Sequence, residues 1–207
     1  LLTEITEWAL DEALGQSRRW EAAGWCTEIA VNLSPADLAD PELFARVSAA
    51  LSRAQVDPER LWLEVSESSV MANPQRARMV LSALRTSGVR VSIDDFGAGR
   101  SSLVYLRTLP AAELKIDRAF VRGLSENAAD LAVVSAAVTL GHDLGLLVTG
   151  EGVEAEGSLP QLAALGCDCV QGYCIAAPMP ADDLLRWMRT RVSGASSAAG
   201  SLMVPSR

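Results

Sequence analysis

Val89-Arg90-Val91-Ser92-Ile93-Asp94-Asp95-Phe96-Gly97-Ala98-Gly99-Arg100-Ser101-Ser102 is the stretch on which the fold turns. Gly88 stops the preceding helix, and the apolar run from Val89 to Ile93 has the length and β-branched content of a buried strand. Two adjacent aspartates close that strand. Glycines at 97 and 99 then let the backbone turn sharply and come close to a phosphate, although a lone Gly-x-Gly is weak evidence of binding.

The same grammar repeats on both sides. Upstream, Ile29 to Leu33 and Leu61 to Val65 read as strands; downstream, so do Glu113 to Asp117, Leu146 to Val148 and Cys169 to Gln171. Helical spacing fills the intervals. Leu2, Ile5, Ala9 and Ala13 mark the first helix, and Leu43, Val47, Leu51 and Ala54 the next. Asn73 with Pro74 opens a helix lined by Val80 and Leu84. A short helix lies around Leu103 and Leu106, a longer one carries Leu131, Val134 and Val138, and Ser158 caps another. Leu184, Leu185 and Met188 belong to the last. Six strands alternating with helices predict an α/β fold with a parallel sheet, either open or rolled into a barrel.

Composition narrows the function. The chain has 207 residues, enough for one sizeable core, and 18 Lys plus Arg against 26 Asp plus Glu give a net charge of -8. That balance disfavours polymeric nucleic acid as a partner, and an anionic ligand of such a chain needs help from cations. Leu131 to Leu140 is about half the ~20 residues of a membrane span, so no span is predicted. No secretory signal follows Leu1. Cys26, Cys167, Cys169 and Cys174 lack the paired spacing of a zinc site and the dispersion of a disulfide scaffold, which favours a cytoplasmic setting. His142, on the helix with Val134 and Val138, reads as a surface or packing residue.

Every predicted strand ends in polar residues: Asn32, Glu64, Asp94 with Asp95, Lys115 with Asp117, Glu151 with Glu154, and Gln171. Any one of these alone is bland. Six in register are not, because parallel strands in a barrel bring their carboxyl ends to one face, where such folds place their chemistry. Crowded carboxylates raise one another's pKa values unless cations lie between them. An oxygen-rich set with one amide suits Mg²⁺ or Mn²⁺, and a pair of ions is a common clamp for phosphodiester displacement. Lys115 brings a positive charge to that face; the plain alternative for it is a salt bridge to a neighbouring carboxylate.

The motifs VNLS (31–34), LEVSES (63–68), DDFGAGRSSL (94–103), LKIDRAFV (114–121), GEGVE (150–154) and GCDCVQGY (166–173) together resemble the EAL family of cyclic di-GMP phosphodiesterases. The resemblance runs from about Trp8 to Leu185. It implies a TIM-like (β/α) barrel with six of its eight strands in this chain, and a two-ion site with Asn32, Glu64 and Asp94 on one metal and Asp94, Asp95 and Glu151 on the other. It implies that Lys115 positions the attacking water, that Asp117, Glu154 and Gln171 complete the polar site, and that Glu67 steadies the loop holding Gly97 and Arg100. The implied reaction opens cyclic di-GMP to linear pGpG.

Three departures stand out. The Glu-Ala-Leu motif, whose glutamate is a ligand of the first metal in the family, occurs nowhere in the chain, nor does the arginine that follows it and holds substrate; Ala98 and Arg100 replace the usual Thr and Tyr of the glycine loop; and Gly150 replaces an Ala. The expectation is therefore an EAL domain over 1–192 that lacks its N-terminal strands, followed by a disordered tail or linker over 193–207, with a signalling domain upstream in a parent protein that is cytoplasmic or membrane-anchored there. Two open sheet edges invite a second chain, a homodimer among the outcomes. Two other readings compete: a degenerate EAL module that binds cyclic di-GMP or a protein without catalysis, and a barrel lyase using Lys115 as a Schiff base. The crowd of carboxylates opposes the second by holding Lys115 protonated.

Overall fold

The structure, a computed structural model, describes residues 2–98 and 103–195. It divides into two units, Leu1–Ala176 and Ala177–Arg207. In the first, α1 (Leu2–Ala22) leads to β1 (Ile29–Leu33), and α2 (Pro35–Ala39) and α3 (Leu43–Ala54) to β2 (Leu61–Ser66). Then α4 (Glu67–Ala72) and α5 (Pro74–Thr86) precede β3 (Arg90–Phe96), and α6 (Leu103–Leu106) precedes β4 (Glu113–Ile116). The unit continues with α7 (Arg118–Arg122), α8 (Ala128–Asp143), β5 (Leu147–Gly150), α9 (Ser158–Leu165) and β6 (Cys169–Val170). The second unit contributes α10 (Ala181–Ala195). That helix covers 193–195 of the stretch expected to be a tail; the remainder, 196–207, lies outside the described residues.

All strand pairings are parallel, and the sheet order β1-β2-β3-β4-β5-β6 is the chain order. A doubly wound sheet reverses its order at a switch point; an unreversed order is that of a barrel wall. Alternation along the strands gives the wall two faces. Leu61, Leu63, Val65, Val91, Ile93, Leu114, Ile116 and Val148 join the helices in the hydrophobic core. The other face is polar and carries Asn32, Glu64, Ser92, Lys115 and Thr149. Ser92, Lys115 and Thr149, on the central strands, are buried, whereas Asn32 and Cys169, on the edge strands, are exposed. The polar face is thus closed over in the middle and open at its flanks.

Burying an apolar side chain on such helices is worth roughly 1.5–3 kcal/mol, so the identity of the covering face matters. α3 uses Leu43, Val47 and Leu51 as its spacing predicts. α1 does not follow the predicted stripe. Its buried face is Thr6, Leu10, Leu14, Ser17 and Trp20, with Ile5 54% exposed and Ala9 and Ala13 only flanking the core. Capping explains the rotation: the Asp37 carboxylate accepts from Ser34 N and Ser34 Oγ in a capping box, and Thr6 Oγ1 donates to the same oxygen. That buried bond fixes Thr6 inward. Asn73 caps α5 as expected, whereas Ser158 begins α9 rather than capping it. Among the described residues, no helix is long and apolar enough to cross a membrane.

Candidate functional site

Successive residues of a regular strand point to opposite faces, so Asp94 and Asp95 should not converge. They do. The β3–β4 register slips between Ile93 and Phe96, and Asp95 takes a left-handed backbone at φ 55, so that one extra residue is accommodated and its side chain is re-aimed. A non-glycine residue in that conformation costs roughly 1–2 kcal/mol. Asp94 steadies the kink by accepting from Asp95 N at 2.9 Å.

Ligand oxygens of Asp94, Asp95 and Glu151 consequently lie within 4.8 Å of one another. Glu151 sits just beyond β5, where its backbone N donates to Ile116 O. Burial raises its carboxyl from 4.5 to about 7; Lys115 counteracts this, and the neighbouring Asp94 adds to it. Burial, Asp94 and Asp117 likewise raise Asp95. With Asp94 beside them, the raised carboxyls of Asp95 and Glu151 form a donor set that a divalent cation fits, since an ion there removes the repulsion between like charges.

Lys115 projects into the middle of the polar face, 3% exposed, with Nζ 2.7 Å from Glu64 Oε1 and 2.6 Å from Glu151 Oε1. Burial alone would lower its ammonium pKa, but the hydrogen bonds and charges of Glu151 and Glu64 outweigh it and hold the group above its usual range. The ion-pair alternative and the site reading therefore coincide: the salt bridges are to two of the site's own carboxylates. A lysine so charged is a poor Schiff-base nucleophile.

The glycine loop is clamped from two sides. Buried Glu67 accepts from Gly97 N at 3.1 Å, and the Phe120 ring packs where a Cβ of Gly97 would stand, 2.8 Å from Cε2. Gly97 itself has φ 98, a conformation glycine adopts without steric cost. Asp117 accepts from Ala119 N to cap α7 and lies close enough to Asp95 to raise its carboxyl. Asn32 lies across from Glu64 in the β1–β2 register. Gln171 is exposed at the β6 edge, tied by its backbone to Gly150 and Val153. Glu154 is exposed and paired with Arg122 rather than turned into the cluster. Arg100 lies outside the described residues. His142 binds Asp168 at the surface, as a packing residue would. Sequence reasoning passed over Asp37 and Phe120, although the Ser34-x-x-Asp37 spacing is a capping-box signature.

A family model described as EAL domain matches residues 1–178. The chain belongs to the EAL domain family. This EAL domain is 46% identical over 89% of its length to the bifunctional diguanylate cyclase/cyclic di-GMP phosphodiesterase MucR of Pseudomonas aeruginosa, of which it covers 27%. It spans about a quarter of the length of the curated relatives it matches. Against the solved MucR phosphodiesterase–c-di-GMP complex, the TM-score is 0.86 over 89% of this chain and 75% of that one, at 46% identity. The EAL domain of Mycobacterium smegmatis DcpA gives 0.87 over 92% and 86%, at 33% identity. The fold of this EAL domain is accordingly the TIM-like barrel type that the motif resemblance implied.

Proposed function

We propose that this EAL domain hydrolyses cyclic di-GMP to linear pGpG in a metal-dependent reaction. The observation that carries the proposal is the convergence of Asp94, Asp95 and Glu151, brought about by a strained bulge, beside a buried charged lysine. Two Mg²⁺ or Mn²⁺ ions would be held here, one by Asn32, Glu64 and Asp94 and the other by Asp94, Asp95 and Glu151. When bound, such ions neutralise phosphoryl charge and acidify water at the site. Lys115 orients the attacking water between Glu64 and Glu151. The water oxygen attacks one phosphorus, that P–O bond to the ribose breaks, and a 5′-phosphate and a free 3′-hydroxyl result. Asp117 fixes Asp95 from the side, Glu67 holds the loop of Gly97, and Gln171 and Glu154 edge the substrate side.

We assign the EAL module to 1–192, in the cytoplasm, beneath an upstream signalling domain, and able to form a homodimer. The relatives named for cyclic di-GMP and the solved complex support the substrate. The test is Asp94→Asn, in this chain and in a version carrying a Glu-Ala-Leu strand-helix segment ahead of Leu1. Loss of a shared ligand should lower Mg²⁺-dependent pGpG release by about 10²-fold or more. Turnover of that variant at the normal rate would remove Asp94 from the site, and cyclic di-GMP binding without turnover in the unsubstituted protein would establish the binding-only module instead.

A further inference from the structure

The ion pair between Lys115 and Glu64 joins strands that are not neighbours. Lys115 lies on β4 and Glu64 on β2, with β3 between them, so the two side chains span roughly 10 Å of sheet and meet over the polar face of the middle strand. The β2–β3 register sets Ser92 opposite Glu64. The β3–β4 register sets it opposite Glu113, two residues before Lys115 and on the same face. Ser92 is therefore the β3 residue level with Glu64 beneath the pair, and its short side chain leaves the room in which the pair crosses.

Ser92 is 0% exposed, and its Oγ has no hydrogen-bond partner among the described residues. A hydroxyl so enclosed forfeits its hydration, a cost that alanine would avoid. The polar groups around it differ in what they offer. Glu64 and Glu113, as carboxylates, only accept, and Thr149 gives its proton to Glu113. Lys115 has three ammonium protons, of which one goes to Glu64 Oε1 at 2.7 Å and one to Glu151 Oε1 at 2.6 Å. The third has no acceptor among the described residues, in a side chain only 3% exposed. An ammonium with one proton to give and a hydroxyl with free lone pairs thus share one buried layer.

We infer that the Ser92 hydroxyl takes the third proton of the Lys115 ammonium, directly or across one bridging water, and so fixes the ammonium where it orients the attacking water. Ser92 is a positioning residue: it touches neither the substrate nor the bond that breaks, and acts only through Lys115. Its catalytic role rests on the hydrolytic reading of Lys115, whereas the contact itself belongs to the metal-free chain and is measurable there.

Lys115 is the one lysine of the chain, so [15N]lysine labelling gives a single side-chain ammonium resonance. The experiment follows hydrogen exchange of its Nζ protons in the full chain treated with chelator, unsubstituted and as Ser92→Ala and Ser92→Thr, with the amide spectrum reporting that each is folded. Loss of a charge-assisted hydrogen bond should speed exchange about tenfold in Ser92→Ala, whereas Ser92→Thr, which keeps the hydroxyl, should stay within about twofold of the unsubstituted chain. In turnover of cyclic di-GMP, Ser92→Ala should lower kcat roughly three- to tenfold at unchanged KM, and Ser92→Thr should restore it. Exchange in Ser92→Ala within about twofold of the unsubstituted chain, or equal acceleration in both variants, overturns the contact. Faster exchange with an unchanged kcat overturns the positioning role. If the unsubstituted protein releases no pGpG with or without the Glu-Ala-Leu segment, the hydrolytic reading falls and the positioning role with it, while ammonium exchange still decides the contact.

Discussion

Replacing Lys115 with Met removes a charge held by two carboxylates while keeping the length of the stem. The ammonium is 3% exposed and its contacts are 2.6 and 2.7 Å, so solvent screens little of the interaction. Breaking a buried pair by removing one partner costs about 3–5 kcal/mol when the orphaned charge cannot escape. Here it can, because Glu151 takes a proton. Its folded pKa of about 7 stands above the ordinary 4.5, so this carboxyl favours the folded state fully below pH 4.5 and progressively less as pH rises to about 7. Without Lys115 the folded pKa rises further. The extra penalty from Glu151 then begins only above about pH 7 and grows by about 1.4 kcal/mol per pH unit. Lys115→Met should therefore destabilise the metal-free chain by about 3 kcal/mol at pH 8, of which about 1.4 kcal/mol disappears by pH 7. Urea denaturation in the presence of a chelator, at pH 6, 7 and 8, reads both quantities. A cost below about 1 kcal/mol at pH 8, or one independent of pH, would refute the description of Lys115 as the shared counter-charge of Glu64 and Glu151.

Two further substitutions probe what holds the site in place. Gly97→Ala combines a left-handed φ of 98 with a Cβ 2.8 Å from Phe120, and should cost about 1–2 kcal/mol in denaturation. Because it also displaces the loop beside Asp95, pGpG release should fall with it, and normal stability with normal turnover would show that the clamp is dispensable. Asp37→Ala leaves Thr6 Oγ1, Ser34 N and Ser34 Oγ without their shared acceptor and should cost about 2–4 kcal/mol, a figure that a loss under 0.5 kcal/mol would contradict.

The sequence carried the strands well because a sheet covered on its core side by helices uses β-branched and leucine runs of four to six residues. Strand ends were equally legible: Glu64, Lys115 and Glu151 are polar residues in apolar surroundings, and a chain has few reasons to tolerate those. What alternation alone could not deliver was the convergence of Asp94 and Asp95, since a regular strand would have sent them apart; the bulge and the left-handed Asp95 are properties of the β3–β4 pairing. The face of α1 misled for a similar reason. Ile5 is more apolar than Thr6, yet a hydrogen bond to a carboxylate from another helix decided which turned inward. Glu154 belonged to a motif but found Arg122, a partner 32 residues away that spacing does not disclose.

Strand order in space repeats strand order in the chain, and the separations across the pairings are modest: 20 residues between Gly150 and Val170, 34 between Leu114 and Val148. Loop-closure entropy varies slowly over that range, so no single pairing is much slower to close than the rest. A chain leaving the ribosome can pair each of these six strands with the one made just before it, one strand and one covering helix at a time. Asp94, Asp95, Lys115 and Glu151 therefore come together in the order of their synthesis, and the acidic cluster reaches its full charge only when β5 docks, after the lysine that offsets it is already seated on β4.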